Sequence, residues 1–278
     1  VCDTTKVACL AYTNRLDENN FGLLSSPEKL TIPPIPFVAI PTTLSAGEFT
    51  SFAGITDEQI PRKEVFWHPE IAPDSVILDP LMTSKTPDGL FYSTGIRAVD
   101  HAIETWCSIN VTPPAEALSL HALRLLARAL PASKKENSLE SRLDCQIGSW
   151  LSVQGVSTGV DLGASHGIGH VLGGTAGMPH GETSCVMLPH VLNYNLEVNR
   201  SRQDFLAEAM GERDQPLADS VKNLVASLSL PTRLRDADVS KDLLATIAEE
   251  SMLDHWIATN PRNIQGASTI LELLEKAW

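Results

Sequence analysis

The 278-residue sequence has no C-x-x-C pair; its five cysteines (Cys2, Cys9, Cys107, Cys145 and Cys185) are odd in number and scattered. That excludes a zinc ribbon or a disulfide framework, suits a reducing compartment, and leaves buried thiols as the plain reading. Cations are scarce: 21 Lys and Arg against 34 Asp and Glu give a net charge of -13. A surface of that sign repels phosphate backbones and anionic lipid, so neither a nucleic-acid nor a membrane partner is expected. A local cluster of cations could still hold a small anionic substrate. No apolar run approaches the ~18 residues of a membrane helix. There is no signal-peptide pattern, internal repeat or low-complexity segment, and the expected location is cytoplasmic.

What is present is ordinary for a globular chain: 43% hydrophobic and 20% charged residues, in a length that allows two domains at about 150 residues each. Residues 1–81 read as alternating helices and strands. "VCDTTKVACLAY" has helical spacing with Asp3 in its first turn, where negative charge is favoured. "IPFVAIPTT" is a short strand that stops at Pro41; "EFTSFAGIT" and "SVILDP" are further extended segments. Short strands between helices predict a mostly parallel α/β domain.

From Thr86 onward the pattern is helical. Ile96, Val99, Ile103 and Trp106 recur at three- and four-residue spacing. "PAEALSLHALRLLARAL", "LESRLDCQIGSWLSVQG", "QPLADSVKNLVASLSL" and "ASTILELLEKAW" are amphipathic helices, and "HGETSCVMLPHVLNYN" is a helix expected to kink at Pro189. The expected division is therefore residues 1–85, α/β, and residues 86–278, all-helical.

Three segments could carry chemistry. In "ASHGIGHVLGGTAGMPHGE", His166 and His170 share a helical face and His180 opens the next helix. The intervening glycines suit a ligand or an adjoining helix. A metalloprotease is excluded because Gly167 stands where its general-base glutamate should be. In "STGIRAVDHAIETW", Arg97 and His101 share a face; Asp100 and Glu104 read as acids of a solvated surface on neighbouring faces. "PTTLSAGE", after a strand, could cradle a ribose or phosphate or be a plain loop.

Taken together these segments resemble the iron-containing (group III) alcohol dehydrogenase family and, in detail, its maleylacetate reductase-like branch. The resemblance runs through "IPTTLSAGEFT", "VILDPLMTSKTPDGLFYSTGIRAVDHAIE", the H-x3-H-x9-H stretch from His166 to His180, "NPRNI" and "EKAW". It implies a partial Rossmann-like nucleotide-binding domain followed by a helical C-terminal domain. It also implies that the chain is a fragment, because Val1 to Lys6 matches the D-x-x-K helix start that comes after a Gly-Gly-Gly-Ser turn in the family. The missing part would choose between NAD and NADP.

By motif position the resemblance assigns Asp3, Thr42, Thr43, Leu44, Ala46, Gly47 and Lys63 to the dinucleotide. His101, His166 and His180 fall at Fe(II) or Zn ligand positions, and His170 beside the nicotinamide as proton donor or relay. A departure stands at Arg97, where the family has an aspartate ligand: a guanidinium cannot ligate and repels a divalent cation. Asp100 is about 100° around the helix from His101 and a poor substitute. Maleylacetate reductases also depart from aspartate here, and Glu182-Thr183 resembles that branch. Three readings of Arg97 stay open. It replaces the metal's charge at a substrate carbonyl or carboxylate; it swings outward beside a bound metal; or it is a surface residue paired with Asp100 or Glu104. The expected activity is hydride transfer between NAD(P) and an alcohol, carbonyl or unsaturated oxo-acid, in a homodimer. The other possibility is a catalytically incompetent piece acting only in assembly or binding.

Overall fold

The computed structural model describes residues 2–17, 22–23, 26, 29–30, 34–57 and 62–278, apart from the side chains of residues 55–57 and 62–65. These residues form two compact units, one of residues 1–41 and 46–79, the other of residues 42–45 and 80–278.

In the first unit, α1 (Cys2–Thr13) is followed by four strands: β1 (Val38–Ala39), β2 (Phe52–Asp57), β3 (Arg62–Trp67) and β4 (Ser75–Val76). Strands β1 and β4 pair in parallel, Val38 opposite Ser75, whereas β2 and β3 form an antiparallel hairpin, Phe52 opposite Trp67. The mostly parallel arrangement expected from the sequence is thus half of what is found. The hairpin escapes a pattern reading because β3, "RKEVFW", opens with three charged residues. "EFTSFAGIT" is also not extended throughout, since Gly47–Phe49 make a 3-10 turn entered through Ala46 at a left-handed φ of 61°.

Val7 and Leu10 of α1 pack with Leu30, Ala53, Phe66 and Ile71 as the core of this unit. Lys6 is buried beside them, its Nζ donating to the carbonyls of Gly47 (2.6 Å), Thr50 (2.7 Å) and Phe52 (2.7 Å). These three carbonyls match the three ammonium protons, with Thr50 Oγ1 a longer fourth acceptor at 3.3 Å, which makes burial of the charge tolerable.

The second unit is built on α3 (Asp88–Cys107), a helix buried along nearly its whole length. Helices α4 (Pro113–Glu136) and α5 (Leu139–Ser152) follow α2 (Pro80–Thr83) and α3; the short α6 (Gln154–Ser157) leads to α7 (Ala164–Thr175) and α8 (His180–Ala209). Then come α9 (Leu217–Ser227), α10 (Leu244–Ser251), α11 (His255–Ala258) and α12 (Ala267–Ala277). Ile96, Val99 and Ile103 of α3 meet Leu123, Leu126 and Leu130 of α4 and Leu188 and Leu192 of α8 in one core. A second core joins Ile168 and Leu172 of α7 to Met187 and Val191 of α8, Ile247 of α10 and Ile270 and Leu274 of α12. Each fully buried Leu or Ile contributes about 1.5–3 kcal/mol.

The expected kink at Pro189 is not where α8 breaks. The non-helical backbone lies at Asn199 (φ -136°, ψ 25°), where Gln203 Nε2 donates to Asn199 Oδ1 (2.8 Å) and to the carbonyl of Leu192 (2.8 Å). A side chain entering the helical ladder bends it as effectively as a proline. Among the described residues no helix is long and apolar enough to cross a membrane.

Candidate functional site

Arg97, Asp100, His101 and Glu104 stand at i, i+3, i+4 and i+7 of α3, and so form one stripe rather than several faces. All four are buried. This corrects the expectation that the two acids belong to a solvated surface: the stripe faces α7 and α8, not water. It also removes the reading of Arg97 as a surface residue. The arrangement was legible as spacing, but no hydrophobicity pattern separates a buried ionisable stripe from a solvated one.

Glu104 organises the start of α7. That helix opens at Gly163, which has no side chain to cap it, and the Glu104 carboxylate supplies the missing acceptor. It receives the backbone N–H groups of Gly163 (3.0 Å), Ser165 (2.9 Å) and His166 (3.3 Å). Carboxyl oxygens at a helix N-terminus satisfy otherwise orphaned donors. Asn260, in the "NPRNI" segment, takes the next N–H, that of Ala164, at 3.1 Å and is bonded in turn to Asn195 of α8.

The same carboxylate fixes His166. Its Oε2 lies 2.8 Å from His166 Nδ1, and Asp100 Oδ2 is 3.5 Å from the same nitrogen while accepting the Ser165 hydroxyl at 2.7 Å. Asp100, Glu104 and His166 are, among the described residues, the one trio whose ligand atoms all lie within 4.8 Å of one another. Hydrogen bonds already account for that cluster. Burial and the neighbouring Asp100 push Glu104 up to about 8, and burial pushes Asp100 up to about 6. Burial and Arg97 hold His101 and His166 well below the ordinary imidazole value, so both are neutral near pH 7.

His101 and His166 stack at 4.8 Å between ring centroids, and His170 and His180 stack at 5.5 Å. Trp256 joins the two pairs, edge-on to His166 at 5.5 Å and tilted against His170 at 4.8 Å. His170 is half-buried, with Nδ1 2.9 Å from Asp254 Oδ2. The glycines of α7 permit this crowding: a Cβ on Gly169 would meet Thr183 Oγ1 at 2.8 Å, and one on Gly167 would meet Ile257 at 3.0 Å.

Arg97 is 6% exposed. Its Nη1 donates to Ser184 Oγ at 3.4 Å, and no carboxylate lies within salt-bridge distance among the described residues. Burial lowers its pKa to about 10, leaving it fully charged at neutral pH. A guanidinium carries five N–H donors, so this one is under-satisfied by protein groups. His101 Nδ1 and His166 Nε2 likewise have no hydrogen-bond partner among the described residues.

The residues expected to line a nucleotide divide between the units. In the first, Asp3 Oδ2 accepts the N–H of Gly54 at 2.9 Å, while the Gly47 carbonyl is taken by Lys6 and Ala46 is buried. In the second, Thr42 is exposed and its carbonyl accepts the Thr86 hydroxyl at 2.7 Å; Thr43 Oγ1 and Ser45 Oγ are 3.1 Å apart. Leu44 is buried, its N–H bonded to Thr94 Oγ1 and its carbonyl to Ser149 Oγ. The Lys63 side chain lies outside the described residues. Sequence reasoning missed Asp100, Glu104, Asp254, Trp256 and Asn260 as members of the site. The first two lie in the Arg97 segment and Asn260 in "NPRNI", whereas Asp254 and Trp256 lie in no motif.

Comparison with known proteins finds relatives along the whole chain. Residues 1–80 match the profile of the iron-containing alcohol dehydrogenases, and residues 91–278 that of the C-terminal part of the Fe-containing alcohol dehydrogenase family. A dehydrogenase of Alternaria alternata is 31% identical over 316 aligned positions, spanning all of this chain and 81% of its own length. A maleylacetate reductase of Delftia acidovorans is 33% identical, over 88% of this chain and 67% of its own. Among solved structures, a 1,3-propanediol oxidoreductase superposes with a TM-score of 0.88 at 31% identity, covering 100% of this chain and 74% of that one. A maleylacetate reductase of a Rhizobium species does so with a TM-score of 0.78 at 28% identity, covering 87% and 67%. The chain belongs to the iron-containing alcohol dehydrogenase family.

Proposed function

We propose that this protein is an NAD(P)-dependent oxidoreductase in which the buried guanidinium of Arg97 takes over the charge that a metal ion supplies elsewhere in the family. The preferred substrate on this reading is an unsaturated oxo-acid or another carbonyl compound bearing a carboxylate. One observation carries it: Arg97 is buried among His101, His166 and Ser184, with most of its donors unclaimed.

Iron or zinc does not fit this donor set. The ligand nitrogens of His101, His166 and His180 do not come within 4.8 Å of one another as a trio. A divalent cation among them would also share a low-dielectric site with a fixed positive charge, a repulsion of several kcal/mol. The dinucleotide fits better. The hydroxyls of Thr42, Thr43 and Ser45 follow the carboxyl end of β1, and ligands of open parallel sheets bind beyond that end. Asp3, Leu44, Ala46, Gly47 and Lys63 complete the proposed set, Leu44 and Ala46 through backbone shape rather than side chain.

When bound, the nicotinamide supplies or accepts hydride. Arg97 then orients a substrate carboxylate or carbonyl by charge-assisted hydrogen bonds and stabilises negative charge as it gathers on oxygen. His101 and His166 stay neutral and contribute hydrogen bonds without adding charge. His170 exchanges a proton with the substrate oxygen, a role suited to an imidazole. Trp256 and the buried second core keep water from the histidine cluster.

The decisive experiment combines metal content with chelator resistance. Purified protein should carry far less than one iron or zinc per chain, and its reduction of an unsaturated oxo-acid should persist in EDTA. Arg97→Met should lower kcat by about 10²–10³, as loss of a preorganised oxyanion donor does, and Arg97→Lys should recover only part of that. Stoichiometric metal with chelator-sensitive turnover would sink the proposal.

A further inference from the structure

The group that sets the chemistry of His170 lies 84 residues away, in a segment that carries no recognised site motif. Asp254 uses its two carboxylate oxygens differently. Oδ1 accepts the N–H of Trp256 at 2.9 Å and caps α11, while Oδ2 lies 2.9 Å from His170 Nδ1. Trp256, held by that cap, packs its ring on His170 at 4.8 Å. One side chain therefore fixes both the hydrogen bond at one ring nitrogen and the aromatic wall against the ring face.

We propose that Asp254 is the positioning residue for His170: it holds the neutral imidazole with its proton on Nδ1, so that Nε2 is presented as a lone pair. The inference rests on the reading of His170 as proton relay. A carboxylate can only accept, so Nδ1 must donate; the tautomer follows from that hydrogen bond. In the oxidising direction the Nε2 lone pair takes the proton of the substrate hydroxyl, and the carbon bearing that hydroxyl would give up its hydride to a bound nicotinamide. A ring with the opposite tautomer would offer an N–H at Nε2 and could take nothing.

Asp254→Asn separates these roles. The amide oxygen can remain on Trp256 N–H, so the cap persists, while the amide nitrogen now donates to Nδ1 and drives the proton to Nε2. Flipping the amide to restore the old tautomer would set its NH2 against the Trp256 N–H and lose the cap. The expected result for alcohol oxidation is a kcat lower by about 10²–10⁴, the range for misplacing a general base or its tautomer. KM and the unfolding midpoint should stay near wild type.

Histidine-selective 15N labelling in alkaline buffer gives a readout independent of turnover. The His170 signals, assigned by their loss in His170→Gln, should show bare Nε2 in the wild type and bare Nδ1 in Asp254→Asn. An unchanged nitrogen pattern overturns the proposal. So does a wild-type kcat in Asp254→Asn when His170→Gln is impaired, and that result leaves the reading of His170 intact. A wild-type kcat in His170→Gln overturns the reading and the proposal together.

Discussion

Removing the Glu104 carboxylate should loosen the whole histidine cluster, and the structure sets the size of the effect. Glu104→Ala strips an acceptor from the N–H groups of Gly163, Ser165 and His166 and from His166 Nδ1. Loss of a helix cap costs about 1 kcal/mol, and each buried donor left without a partner about 1–3 kcal/mol. Some of these donors will find water, so a total of about 3–5 kcal/mol is expected. At about 2–4 °C per kcal/mol for a chain of this size, the midpoint should fall by roughly 10 °C. Glu104→Gln is milder for a geometric reason. Its amide can turn the NH2 toward Ser165, the one donor on Oε1, and keep oxygen on the crowded Oε2 side. One contact is then lost instead of four, for about 1–3 kcal/mol. Thermal and urea unfolding followed by circular dichroism would measure both. If Glu104→Ala stays within about 1 kcal/mol of wild type, Glu104 is not what orders the start of α7.

The same pair of proteins exposes a pH dependence. Glu104 is raised from 4.5 to about 8 by burial and by Asp100. Below pH 4.5 the carboxyl is protonated whether the chain is folded or unfolded. Above it the unfolded chain releases a proton that the folded chain keeps until about pH 8. Stability contributed by the protonated group is therefore complete below 4.5 and is lost as pH rises toward about 8. The advantage of wild type over Glu104→Gln should shrink across that window; an advantage that grows with pH would mean the helix donors hold the carboxyl ionised.

Two further outcomes are expected. Gly181→Ala sets a Cβ 2.6 Å from the carbonyl carbon of Ser93 and 2.8 Å from its oxygen. Backbone cannot give way cheaply, so α3 and α8 should separate at His180, with at least about 1–3 kcal/mol lost and a visible shift of the His180 resonance. A stability equal to wild type would show that the two helices are not in close contact there. Of the five free thiols, Cys107 and Cys145 are pushed up to about 12 by burial and Cys185 is raised well above its ordinary value, while Cys2 and Cys9 are half-buried. A thiol-exchange reagent at about pH 8 should then label at most two cysteines in the native protein and all five after denaturation.

The helical half of the chain was readable because its apolar residues keep a 3.6-residue period: Ile96, Val99 and Ile103 are core residues of α3 as that spacing requires. The histidine cluster was half readable. His166, His170 and His180 could be found in one stretch, since a helix brings near neighbours in sequence together. What decides their behaviour could not be found there. Glu104 is 62 residues from His166 and Asp254 is 84 residues from His170. A lone acid in a polar-looking helix has solvent as its default partner, so nothing local separates Glu104 from the acids that do face water.

Arg97 differs because its position in the motif marks it from sequence alone. Even so, its spacing allowed the side chain to turn outward or inward. Packing decides between these. Asp100, His101 and Glu104 are all committed to α7 and α8, and Arg97, at i−3 and i−4 from the first two, is drawn in with them until only 6% of it is exposed. Burying it there leaves a charge with one weak protein hydrogen bond, a state a fold sustains at a cost of several kcal/mol unless something else completes it. An anionic group of the substrate would do so, and the helix that holds Arg97 also holds His101 beside it.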